Sequence, residues 1–177
     1  MERLSKRSIR LLHLADLHFG TETYGRIDPA TGVHSRLLDF SRTLEQVLDQ
    51  AFEEEIDAVL FAGDAYRTNR PTPTQERELA RHIERIGRAG VPLVMIVGNH
   101  DLPPGQGQAS AIEVFRTLRL PNLHVIDRPE TLRIKTRRGG LQVVCVPYPT
   151  RHKLFTRADV RQLSEDRIRQ QTEEILT

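Results

Sequence analysis

Gly90-Val91-Pro92-Leu93-Val94-Met95-Ile96-Val97-Gly98-Asn99-His100-Asp101 is an apolar run that stops at a glycine and passes into an amide, an imidazole and a carboxylate. A short stretch rich in Val, Leu and Ile, bounded by Pro and Gly, reads as a strand buried on both faces. Its donors then fall just beyond the strand's carboxyl end. The same grammar recurs twice upstream. Ile9 to Ala15 runs into Asp16-Leu17-His18, and Ala58 to Ala62 runs into Gly63-Asp64.

The intervals between these three runs read as helices. From Ser35 to Glu55, Leu37, Phe40, Leu44, Val47, Leu48, Ala51 and Phe52 recur on one face. The second helix opens at Thr72-Pro73-Thr74-Gln75, a capping box with proline at the first helical position. It carries Leu79, Ile83 and Ile86 and is expected to end at Gly87 to Gly90. Strand, helix, strand, helix, strand predicts an α/β fold with a parallel central sheet flanked by helices. Ligands of such sheets bind beyond the carboxyl ends of the strands, where all three donor segments lie. An antiparallel region is expected near Leu132 to Val146, turning at Thr136 to Gly140, and Ser164 to Leu176 reads as a polar helix.

The donor types set the chemistry. Asp16, His18, Asp64 and Asn99 mix carboxylate, imidazole and amide oxygen, a set suited to manganese, iron or zinc. Asp64 is the expected bridge between two ions, which together acidify a shared water and stabilise an in-line displacement at phosphorus. His100 is expected to keep its own ring free, to contact the scissile phosphate and to protonate the leaving oxygen. Chance termination of strands by polar residues explains one such segment but not three in order.

Asp-x-His, Gly-Asp and Gly-Asn-His-Asp, with Leu12 to Gly20, Asp57 to Asp64 and Gly90 to Asp101 around them, resemble the first three motifs of the calcineurin-like metallophosphoesterases. Within that superfamily the phrases are most similar to the SbcD-type nuclease subunits of DNA double-strand-break repair. Arg70-Pro71 and the run Val143 to Pro149 extend the likeness. The resemblance implies two divalent ions, manganese first, one on Asp16, His18 and Asp64 and the other on Asp64 and Asn99. It also implies His100 as the catalytic residue and Asp101 in support. Implied partners are duplex DNA ends, an SbcC-type ATPase and a second copy of the same subunit.

Two departures qualify these expectations. The family completes its metal shells with histidines from later Gly-His segments that this sequence does not contain, so the 177 residues read as the amino-terminal part of one phosphoesterase domain. The second half of the family's two-sheet sandwich is then truncated, with impaired metal binding, little activity and an exposed sheet face prone to association as expected results. Where the family places an acid or histidine three residues after the bridging aspartate, this chain has Arg67, which cannot accept a hydrogen bond from His100. Arg67, with Arg70, is instead a candidate contact for a substrate phosphate. A calcineurin-like enzyme with a non-DNA substrate and a catalytically silent binding module stand as alternatives.

Composition narrows the rest. At 38% apolar residues the chain can build one core, and no run approaches a membrane span, so a cytoplasmic location is expected. Cys145 lies in an apolar run and reads as a buried structural thiol. The net charge of +2 announces no nucleic-acid binder. From Asp127 to Arg161, however, nine basic residues face three acids, which fits either a phosphate-tracking patch or a basic hairpin turn with a polar helix. His13 is expected to be a hydrogen-bonded core residue, and His34, His82, His124 and His152 to serve packing or surface roles.

Overall fold

Leu12, Leu14, Val59, Phe61, Leu93, Met95, Leu123 and Val125 occupy every second position of four strands and share one cluster with the helices. The computed structural model describes residues 8–105, 107–118 and 120–149. Its elements follow in the order β1 (Leu11–Leu14), α1 (Ser35–Glu53), β2 (Ala58–Phe61), α2 (Pro73–Arg88), β3 (Leu93–Ile96), a 3-10 helix (Glu113–Leu118), β4 (Leu123–Ile126), β5 (Glu130–Thr136) and β6 (Gly139–Cys145). The first four strands form one sheet in the order β1-β2-β3-β4, parallel throughout. The α/β reading therefore holds, and each of the three donor segments leaves a strand at the same end of the sheet.

The helices lie on one face. Leu37, Leu44, Leu48 and Ala51 of α1 and Leu79, Ile83 and Ile86 of α2 are buried against Val59, Phe61 and Met95. Thr72 caps α2 with the full capping box, its hydroxyl accepting from Gln75 N while the Gln75 side chain accepts from Thr72 N. His34 caps α1 through Nδ1, and His82 is buried with Nε2 2.8 Å from Ser41 Oγ. The boundaries differ slightly from expectation. α1 stops at Glu53, because Glu55 takes a left-handed φ of 52°, and α2 continues through Gly87 to Arg88 before Gly90 turns at φ +68°.

The other face is covered by the antiparallel β5–β6 hairpin. Ile134 and Cys145, with Leu132, Leu141 and Val143, pack on Leu60, Val94, Ile96 and Ile126. That cover does not reach β1, which with β4 forms the two edges of this sheet among the described residues. Leu11 is 41% exposed, and His13 is exposed rather than a core residue, since nothing described lies over its row. The hairpin tip is basic, as expected, but its arginines are engaged. Arg138 donates to Asp57 Oδ2 at 3.0 Å and to the Glu55 carbonyl at 2.6 Å, and Arg137 reaches the same carbonyl. For Arg138 the phosphate-tracking alternative falls, because its side chain is mostly buried on Asp57 and the Glu55 carbonyl. Residues 150–161 of that patch and the expected helix at 164–176 lie outside the described residues.

Candidate metal centre

Beyond the strand ends, the loops after β1 and β2 continue to pair. Asp16 N donates to Gly63 O at 3.1 Å, His18 N to Asp64 O at 3.1 Å and Phe19 N to Ala65 O at 3.0 Å. Phe19 and Tyr66, both fully buried, anchor the far end of this ribbon. Asp16, His18 and Asp64 all have positive φ, at 56°, 47° and 57°. Non-glycine residues in that region cost on the order of 1–3 kcal/mol each and collect where surrounding structure holds a side chain in a set place.

The loop after β3 closes onto the same spot, and two glycines permit it. A Cβ on Gly63, which also has φ +96°, would lie 2.7 Å from Gly98 Cα; one on Gly98 would lie 2.2 Å from Asp64 Oδ1. Glycine before Asp64 and before Asn99 is thus a packing requirement. Asp101, with no solvent exposure, ties the loops together. Its Oδ2 accepts from Asp64 N at 2.8 Å and Gly98 N at 3.1 Å, and its Oδ1 accepts from Ala65 N at 3.0 Å. Burial pushes the Asp101 carboxyl up, and the N–H groups of Gly98, Tyr66 and Asp64 work against that rise.

His100 is held at two points. Its N–H donates to Asp64 Oδ1 at 2.9 Å, and its ring Nδ1 lies 2.9 Å from the main-chain oxygen of Arg67. A carbonyl only accepts, so Nδ1 carries the proton and Nε2 of the neutral ring is left with a lone pair. The ring is therefore not wholly free, and the acceptor that the Arg67 side chain cannot offer is supplied by its backbone, itself fixed by Arg67 N donating to Phe19 O. Every residue has a carbonyl, so residue type could not signal this contact. The Arg67 and Arg70 side chains are exposed and make no ion pair among the described residues.

Ligand atoms of His18, Asp64 and His100 lie within 4.8 Å of one another. The two imidazoles meet edge to face, with centroids 4.8 Å apart and planes at 89°. His18 Nδ1 is buried without a hydrogen-bond partner among the described residues. An orphaned buried ring nitrogen beside a carboxylate is a donor set in want of a cation. Asp16 stands at the edge of this cluster, its Oδ1 3.6 Å from His18 Nε2, and Asn99 is exposed on the loop between Gly98 and His100. The residues present fit a divalent ion at His18 and Asp64, with Asp16 alongside.

A donor cluster at the carboxyl edge of an α/β sheet suits, among other classes, the metal-dependent phosphoester hydrolases. Among these, the chain belongs to the calcineurin-like phosphoesterase family, whose sequence model matches residues 9–175. Among curated proteins, it is 30% identical to the SbcD component of the SbcCD nuclease of Bacillus subtilis, over 82% of this chain and 35% of that one. It is 31% identical to the DNA double-strand break repair protein Mre11 of Sulfurisphaera tokodaii, over 53% of this chain and 22% of that one. The Mre11 of Methanosarcina mazei is 36% identical over 54% of this chain and 14% of its own length. The chain thus spans about a third or less of these relatives. The solved nuclease MPE of Pseudomonas putida aligns with a TM-score of 0.42 at 21% identity, covering 70% of this chain and 50% of that one.

Proposed function

We propose that this chain is the amino-terminal part of the phosphoesterase domain of an SbcD-like nuclease subunit, a metal-dependent phosphodiester hydrolase acting on duplex DNA ends in double-strand-break repair. The observation that carries the reading is His100, whose ring is fixed by the Arg67 carbonyl against His18 and Asp64, with Nε2 left for proton transfer. Asp16, His18 and Asp64 hold one divalent ion in this proposal, and Asp64 and Asn99 begin a second site. Manganese is the first choice for both. Bound divalent ions supply an acidified water and neutralise charge on the phosphate.

The chain's own residues supply the rest. Protonated at Nε2, His100 gives its proton to the leaving oxygen while Nδ1–H stays on the Arg67 carbonyl, so the ring need not turn during transfer. Arg67 and Arg70, without carboxylate partners among the described residues, present guanidinium forks suited to phosphate oxygens. Duplex ends, an SbcC-type ATPase and a second copy of the subunit are the proposed partners of the longer protein. Among the described residues no helix is long and apolar enough to cross a membrane.

Manganese titration by calorimetry, with Asp64→Ala as control, followed by cleavage of linear duplex DNA with and without His100→Ala, tests the reading. Weak binding by this chain that Asp64→Ala removes, with cleavage by the longer protein that His100→Ala removes, is the expected result. Turnover of cyclic nucleotides or phosphopeptides in place of DNA would assign another substrate, and metal binding without any turnover would assign a silent module.

A further inference from the structure

His18, Asp64 and His100 bring two imidazoles and one carboxylate so close that their ligand atoms all lie within 4.8 Å of one another. The set shares His18 and Asp64 with the proposed manganese site, but in place of Asp16 it contains the residue assigned to proton transfer. Asp64 is buried and both histidines are half-buried, so an ion among them is partly shielded from water. Two contacts leave the needed atoms unused. The His100 N–H donates to Asp64 Oδ1 at 2.9 Å, which keeps the imidazole beside that carboxylate and leaves Oδ2 for an ion. The Arg67 carbonyl, 2.9 Å from His100 Nδ1, holds the ring proton there, so Nε2 keeps its lone pair. A metal-bound imidazole usually donates its other N–H to a carbonyl or carboxylate, which fixes the tautomer and raises the basicity of the ligating nitrogen. The clamp on His100 has that form.

Bond lengths decide what the set must do to close. Four-coordinate zinc, at about 2.0–2.2 Å from nitrogen and oxygen, keeps its donors about 3.3 Å apart, so the donors here must draw together by up to about 1.5 Å. His100 is pinned at two atoms. The ring of His18 meets it edge to face and makes no hydrogen bond among the described residues, so His18 is the side chain that moves. Two imidazoles and a carboxylate then fill three positions and leave the fourth to water, a donor set that zinc takes readily. Manganese behaves differently. It favours oxygen donors over imidazole and stands low in the divalent affinity order, so it gains little from His100 and stays with the carboxylates of Asp16 and Asp64 beside His18.

We infer that this cluster is a second, inhibitory coordination mode, in which zinc or another imidazole-seeking ion binds His18, Asp64 and His100 and takes the Nε2 lone pair that proton transfer needs. Nε2 has one lone pair, and a ring that gives it to a metal carries no proton to a leaving oxygen. The inference rests on the phosphoesterase reading for its consequence. It adds that the identity of the ion switches His100 between proton donor and ligand.

The switch is read on the full chain without turnover. With its histidine rings labelled with nitrogen-15, the chain is titrated with zinc and, separately, with magnesium, an oxygen-seeking ion that is equally diamagnetic. The Nε2 resonance of His100 is expected to move to a new, saturable position with zinc and to stay in place with magnesium. In calorimetry, His100→Ala is expected to weaken zinc binding about tenfold or more and manganese binding less than about twofold, with the amide spectrum as the check on folding. Zinc that leaves the His100 Nε2 resonance unmoved, or that binds His100→Ala as tightly as the parent, would overturn the inference and leave the phosphoesterase reading standing. That reading is tested separately by manganese binding in Asp64→Ala, where undiminished affinity would overturn it whatever zinc does at His100.

Discussion

Asp101 shows how much of this centre depends on a residue that faces no ligand. Each of its oxygens accepts at least one main-chain N–H from the loops that carry Asp64 and His100. An asparagine there turns one acceptor into a donor aimed at an N–H. Asp101→Asn is therefore expected to lower stability by roughly 2–3 kcal/mol, read from urea unfolding, and to weaken manganese binding as the loops part. Gly98→Ala acts more directly, since its methyl would sit 2.2 Å from Asp64 Oδ1. Calorimetry is expected to show at least a tenfold loss of manganese affinity. The carbonyl clamp on His100 makes a third prediction at this scale. Nitrogen-15 shifts of the neutral ring should report the proton on Nδ1, and Arg67→Ala should not change that, because the clamp belongs to the backbone.

Among the elements, the most instructive junction is between the hairpin tip and the loop after α1. Burial works to raise the Asp57 carboxyl, but the Arg10 N–H and the Arg138 guanidinium more than reverse it and leave it below its ordinary 3.8. A carboxyl depressed in the folded state adds stability above its unfolded value, and that stability is lost as pH falls through the folded one. The hairpin should therefore loosen below about pH 3.8. Arg138→Ala is expected to move acid unfolding to higher pH, with the gap between variant and parent narrowing as the acid is increased. At the start of α2, Thr72→Ala removes a capping hydroxyl and is expected to cost about 1 kcal/mol in thermal unfolding. That cap was legible in the sequence because it lies within four consecutive residues, and the three donor segments were legible because residue type carries their chemistry. β4 was not, because Leu123–Ile126 leads into a lone Asp127 rather than into a recognisable donor motif. His13 misled for another reason: alternation in a strand says which residues share a face but not whether anything covers that face.

For the whole molecule, the uncovered row on β1 matters most. Leu11 and His13 stand on the hairpin side of the sheet beyond the hairpin's reach, and β1 pairs on one side only among the described residues. Exposed apolar surface beside an unpaired strand favours association. Sedimentation is expected to show concentration-dependent self-association, and hydrogen exchange to be faster in β1 than in β2 and β3. A monomeric chain with uniform protection across the sheet would mean that residues outside the described ones complete it. The all-parallel order also has a consequence in time. Leu11 pairs with Ala58 and Val59 with Leu93, each across a whole helix, whereas Thr136 pairs with Gly139 across a two-residue turn. Hairpins close in roughly microseconds, while pairings distant in sequence must first overcome the entropy of the loop between them. Refolding should accordingly begin with β5–β6 and finish with β1, so the last strand to dock is the one that brings Asp16 and His18 to the centre.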